Sequence, residues 1–200
     1  MSPSSFADRV AIASKTLVTW SKPHPEYAGM DLNEISGKMK LSIEETANKL
    51  RPAGAIYFTM DEADVQRVLA FEHTMIGSDG LPHDAAPHPR LWGTFPRVLG
   101  HYSRGLGLFP LETAVYKMTG LTAKTFGLEA RGVLQEGAFA DLCVFDAGAV
   151  DEAATFARPI QPAKGIEVVI VNGAIVWRDG KPAAQLSGRW PGRVLRRTPG

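Results

Sequence analysis

The sequence has one cysteine, Cys143, in 200 residues. No internal disulfide is open to it, and the chain suits a reducing compartment. No apolar run approaches the roughly 20 residues of a membrane span. Arg9 and Lys15 lie around VAIASKTLV near the start, but no apolar core of signal-peptide length with a small-residue cleavage site accompanies them. Excess charge of either sign is also missing. The 22 basic and 21 acidic side chains leave a formal net charge of +1, too little for a global field that gathers nucleic acid or anionic membrane. Arg189, Arg193, Arg196 and Arg197 form a basic tail with only Trp190 as a stacking aromatic, which reads as solvated rather than nucleic-acid-binding. These absences lead to the expectation of a soluble cytoplasmic protein with no nucleic acid and no membrane among its partners. Metal-binding patterns are missing too. The five histidines, His24, His73, His83, His88 and His101, include no His-x-His pair. His83 and His88 lie five apart with no Glu after the first, which excludes a helical His-Glu-x-x-His site.

What is present is a chain 44% hydrophobic, enough for one or two domains with a real core. Its organising stretch is Thr74–Arg90, TMIGSDGLPHDAAPHPR. A short apolar run, Thr74-Met75-Ile76, leads into Gly77-Ser78-Asp79-Gly80. An apolar strand that stops at an acid flanked by glycines delivers a carboxylate to the C-terminal rim of a parallel sheet, where active sites collect. Asp79 is therefore the first candidate, the alternative being an Asp that only bonds its own turn. The loop behind it carries Pro82, Pro87 and Pro89, which stiffen it, with His83, His88 and Arg90 close to the acid.

The rest of the pattern predicts α/β architecture. Thr16–Trp20 reads as a short strand broken at Lys22-Pro23. Ser42-Ile43-Glu44-Glu45 is a capping box that opens a helix with Ile43, Ala47 and Leu50 on one face, stopped by Pro52. Ala53–Phe58 reads as a buried strand. Thr59–Glu62 reads as a second capping box, for a helix to about Phe71 with Val65, Val68 and Leu69 facing inward. Strand, helix and the run into Asp79 make a βα unit feeding a parallel neighbour. A broken helix is expected over Leu91–Tyr102, with Pro96 tolerable only near a first turn. Leu111–Thr119 is a helix with Gly120 as C-cap, and Thr122 caps a shorter one ending at Gly127. From Ala130 the period shortens to β: Arg131–Leu134 pairing across Glu136-Gly137, Ala140–Asp146 with Cys143 as buried packing, and two runs flanking Asn172-Gly173, the strongest short hairpin signal. Asp179-Gly180 marks a further turn.

GSDGLPHDAAPHPRLWGTFPRVLGHY resembles the N-acyl-D-amino-acid deacylases, or D-aminoacylases, of the metal-dependent amidohydrolase superfamily. The likeness runs upstream through TWSKPHPEYAGMDLNEIS and RPAGAIYFTMDEADVQRVL. Downstream it takes in LETAVYKMTGLTAKTFGLEARGVLQEGAFADLCVFD and IEVVIVNGAIVWRDGK, so it covers nearly everything from about Thr16 to Arg197. HPRLWGTFPRVL is specific to that branch, whereas ADLCVFD is shared across the superfamily. Residues 1–15 do not match the family pattern well.

The resemblance implies part of a (β/α)₈ TIM barrel, its last βα units with an insertion over residues 1–128, followed by a small β-sandwich portion over 129–200. A whole barrel takes roughly 250 residues, so half a barrel is the most this length allows. In the resembled family zinc is held by His, Cys and related ligands on earlier strands, ligands not present in this chain. An Asp at the end of the last barrel strand takes a proton from metal-bound water and returns it to the leaving nitrogen. Asp79 matches that position. An N-acyl-D-amino acid presents an α-carboxylate that a planar guanidinium binds bidentately, which assigns Arg90 to substrate binding, against the alternative of a structural arginine. His83, and with it His88, is placed beside the substrate as a supporting group. The expectation is thus a hydrolase of linear amide C–N bonds, converting an N-acyl-D-amino acid and water to a D-amino acid and a carboxylate. This chain would be its C-terminal part, inactive alone. The alternative is a non-catalytic complementing or interaction subunit, with an N-terminal half-barrel chain as its partner.

Overall fold

A computed structural model describes residues 15–183 and 190–195. The expectations for residues 1–14 and for Arg189, Arg196 and Arg197 fall outside the described residues. The chain forms two compact units. The first is built from residues up to Asp61 with Asp79–Leu91 and Ala154–Ile160. The second comprises Glu62–Ser78, Trp92–Ala153 and the residues from Gln161 onward.

In the first unit strand β1 (Thr16–Ser21) pairs antiparallel with β2 (Ala53–Tyr57). Helices α1 (Leu32–Met39) and α2 (Ile43–Leu50) lie between them in sequence. Val18 of β1 closes over Leu32, Ile35 and Leu50 in one buried cluster, edged by Ile43 and Ala47, each fully buried aliphatic contributing about 1.5–3 kcal/mol. The Ser42 capping box forms as read: the hydroxyl accepts from Glu45 N–H and the Glu45 carboxylate accepts from Ser42 N–H. α1 is started by Asp31, whose carboxylate accepts from Asn33 N–H at 2.8 Å. The Ser21 hydroxyl donates to Leu50 O at 2.7 Å, tying β1 to the end of α2. The loop after Asp79 is pinned to β1 where Ala86 N–H donates to Thr19 O at 2.9 Å.

In the second unit the order is α3 (Glu62–Ala70), the later part of α4 (Arg90–Arg97), a π-helical stretch Val98–Gly105, α5 (Leu111–Met118), α6 (Gly120–Phe126) and four strands. Val98, Leu99, Tyr102, Phe109, Ala114 and Val150 form its core, with Val65 and Leu69 of α3 packed against it. Strands β3 (Leu142–Phe145), β4 (Ile166–Val171), β5 (Ala174–Arg178) and β6 (Lys181–Pro182) make one antiparallel sheet in that order. Asn172 (φ 47°) with Gly173 (φ 81°), and Asp179 (φ 53°) with Gly180 (φ 76°), adopt the paired positive φ values of tight hairpin turns.

Several local expectations are corrected. β2 runs antiparallel to β1, and Thr74–Ser78 is not a strand. The two strands of the first unit bond each other, and the run into Asp79 meets side chain and backbone of Lys117 rather than a ladder. α3 starts at Glu62, so Asp61 rather than Thr59 stands at the cap position, and Val68 is 55% exposed. Pro96 lies inside α4, not in its first turn. A proline there removes an N–H and crowds the carbonyl four residues back, and the π-helical widening from Val98 accommodates the misfit. Thr119, not Gly120, ends α5, and Gly120 opens α6. The Thr122 hydroxyl donates to Lys117 O at 3.1 Å instead of capping. Arg131–Leu134 forms no strand: Ala130 (φ 53°) and Gly132 (φ 73°) interrupt any extended run. Arg131 instead pairs with Asp141, bonds Asn172 Oδ1 at 2.8 Å and lies over the Phe139 ring. Cys143 is exposed rather than buried, because β3 is the outer strand of its sheet.

Candidate active site

In the second unit, the run Thr74–Ile76 is held by a buried lysine. Lys117 of α5 is 1% exposed, and its Nζ donates to Phe71 O at 2.5 Å and Thr74 O at 3.4 Å. Its own carbonyl accepts from Ile76 N–H at 3.3 Å. Burial lowers the Lys117 pKa, partly opposed by Glu72. This residue was not legible as a site element, since a lysine in an amphipathic helix ordinarily faces water.

Within the loop, Asp79 adopts the left-handed region at φ 47°, which Asp tolerates better than most residues. Gly80 is required by close packing: a methyl group there would lie 2.8 Å from Leu91 Cα and 2.6 Å from Leu91 Cδ1. The glycine therefore lets the loop's start return onto the first turn of α4. Arg90, the first residue of α4, reaches back so that Nη2 lies 2.7 Å from Asp79 Oδ2. The carboxylate remains 80% exposed and the arginine side chain 39% exposed.

The third member of this group is His88. Arg90 N–H donates to His88 Nδ1 at 3.0 Å, and Leu91 N–H donates to His88 O at 3.0 Å. The half-buried ring packs edge-on against Phe156 at 5.1 Å, and Phe156 in turn meets Phe58 at 4.7 Å. Burial first, and then the Arg90 charge, hold the His88 pKa below the ordinary histidine value, with Asp79 opposing. His83 goes elsewhere. Its ring is 72% exposed, and Nε2 lies 3.7 Å from Asp84 Oδ1, whose side chain is 10% exposed. The structure thus brings together Asp79, Arg90 and His88, and leaves His83 with Asp84.

Two cavities of about 460 and 400 Å³ lie in the second unit, and neither is lined by Asp79, Arg90 or His83. Among the described residues no three His, Cys, Asp or Glu side chains converge to hold a metal ion. An exposed acid carrying a guanidinium, with a neutral imidazole behind it, can take and return a proton and can receive an anion.

The model of the amidohydrolase family matches residues 58–177. The D-aminoacylase of Alcaligenes xylosoxydans xylosoxydans is 61% identical over 191 residues, 96% of this chain and 39% of the relative. A solved D-aminoacylase described for its binuclear metal centre superposes with a TM-score of 0.83 at 63% identity, over 88% of this chain and 37% of that one. The N-acyl-D-glutamate deacylase from Bordetella bronchiseptica, complexed with zinc and a phosphonate inhibitor, superposes with a TM-score of 0.82 at 48% identity, over 88% and 38%. The chain spans about two fifths of the length of the curated relatives it matches.

Proposed function

From the premise that the chain belongs to the amidohydrolase family, we propose that it supplies the general base and the carboxylate-binding arginine of an N-acyl-D-amino-acid deacylase. The observation that carries this reading is the Asp79–Arg90 pair, set within GSDGLPHDAAPHPR, part of the stretch that resembles the D-aminoacylases. Asp79 takes a proton from the attacking water as oxygen bonds to the acyl carbon. It returns that proton to the nitrogen as the C–N bond breaks, giving a carboxylate and a free D-amino acid. Arg90 receives the substrate α-carboxylate. A cation in the first turn of a helix opposes the helix dipole by about 0.3–1 kcal/mol, a cost that an anionic partner reverses. His83, at the loop's outer side, is assigned to the rim that the substrate crosses.

Zinc accompanies the Bordetella relative, but the described residues here do not converge on a metal site. The ligands of such a metal are assigned to other polypeptide. In this reading residues 1–128 are the last part of a (β/α)₈ barrel with its insertion, and 129–200 a β-sandwich portion. A complementing subunit is the second reading, favoured by the two-fifths span: a partner chain would then carry the metal-binding half.

The test joins this chain, in place of the corresponding segment, to the rest of the Alcaligenes D-aminoacylase. Acetate release from N-acetyl-D-amino acids is expected, falling about 10²–10⁴-fold in kcat for Asp79→Asn. Full activity in Asp79→Asn, or none in the parent polypeptide, overturns the reading. Restoration by separate co-expression of the two parts selects the complementing form.

A further inference from the structure

His88 has geometry that neither proton transfer nor carboxylate binding requires. A backbone N–H can only donate, so the 3.0 Å bond from Arg90 N–H leaves Nδ1 unprotonated and puts the hydrogen of the neutral ring on Nε2. The same residue's carbonyl takes the next N–H, that of Leu91. His88 therefore satisfies two of the unpaired N–H groups at the start of α4, one through its side chain and one through its backbone. Its ring cannot swing freely, because Phe156 stands edge-on against it at 5.1 Å and 72°. Arg90 is the first residue of the turn so held, and that turn sets the direction in which its side chain leaves the backbone. The guanidinium then meets Asp79 Oδ2 at 2.7 Å.

The geometry points to His88 as a positioning residue of the deacylase site: its unprotonated Nδ1 fixes the first turn of α4 and thereby aims the Arg90 guanidinium at the place where the α-carboxylate arrives. The inference rests on the function proposed above. Protonation of the ring would remove the acceptor and set a second cation beside Arg90. Burial and the Arg90 charge both disfavour that form. His88 touches no reacting atom in this scheme, so its loss weakens substrate binding more than turnover.

The joined polypeptide tests this with three variants. His88→Asn offers Oδ1 near the Nδ1 position, His88→Gln offers an amide near the Nε2 position, and His88→Leu fills the space without an acceptor. Leu is expected to raise KM for N-acetyl-D-amino acids about tenfold, with kcat falling less, the equivalent of one well-placed hydrogen bond. Asn is expected to recover most of that loss, and Gln little of it. Leu within twofold of the parent in KM overturns the inference. So does rescue by Gln rather than Asn, which would put Nε2 on the substrate, or a loss confined to kcat. Where Leu fails to fold by thermal melting, the Asn and Gln pair decides. An active parent silenced by Asp79→Asn keeps the deacylase reading intact whatever His88 does, and an inactive parent sinks that reading itself.

Discussion

At the scale of single residues, the site depends on how closely Gly80 lets the chain return to α4. Among the atoms a methyl would meet, Leu91 Cδ1 can rotate away, but Leu91 Cα, 2.8 Å from the methyl position, is backbone and cannot. Gly80→Ala is therefore expected to move the loop rather than a side chain. The overpacking costs about 1–3 kcal/mol. Because a displacement of about 1 Å at a reacting group can cost 10²-fold in rate, kcat/KM of the joined polypeptide should drop more than tenfold while its melting temperature falls only modestly. Unchanged kcat/KM in Gly80→Ala would show that the contact is not needed. The sequence singles out Asp79 by its glycine-flanked turn and Arg90 by the family resemblance, and the structure pairs the two side chains. The choice of His88 over His83 was not legible in the sequence, since both sit in the same proline-rich loop. Only the path of that loop sends one ring to Phe156 and the other to Asp84.

At the scale of elements, what was legible was what short-range chemistry decides. The Ser42–Glu45 cap and the Asn172-Gly173 hairpin each need only residues a few positions apart, and both formed as read. The run Thr74–Ser78 was misread because a strand is a statement about a partner as well as about its own side chains. Here the polar backbone of the run is met by Lys117. That gives Lys117 a testable weight. Lys117→Met keeps most of the volume and removes the desolvated charge, but takes the lysine donor from Thr74 O and from Phe71 O, the latter keeping its bond from Thr74 N–H. Unsatisfied buried polar groups cost about 1–3 kcal/mol each, and the released desolvation offsets part of that. A net loss of about 1–3 kcal/mol in unfolding free energy is expected, read from the shift of the urea midpoint of the joined polypeptide. Lys117→Ala, which adds a cavity, should lose more. A methionine variant as stable as the parent would mean that the charge, and not the lost donor, dominates at this position.

At the scale of the whole molecule, the question is which parts of the chemistry this chain carries. It holds an exposed acid backed by an arginine, yet the full sequence has no His-x-His pair, and the described residues bring no three metal-donor side chains together. Proton transfer and anion binding need only a few side chains in register, and a loop can supply them. A metal centre needs ligands from several elements at once, and this chain spans only about two fifths of the length of the curated relatives it matches. The chain by itself is therefore expected to bind no stoichiometric zinc at Asp79 and to release no acetate from N-acetyl-D-amino acids. Metal analysis after dialysis and a coupled acetate assay check both. One tightly held zinc, together with hydrolysis abolished by Asp79→Asn, would mean that the ligands do assemble within these 200 residues, and that the division of labour proposed between this chain and other polypeptide is wrong. Zinc retained with hydrolysis indifferent to Asp79→Asn would instead leave the metal real and remove the acid from the mechanism.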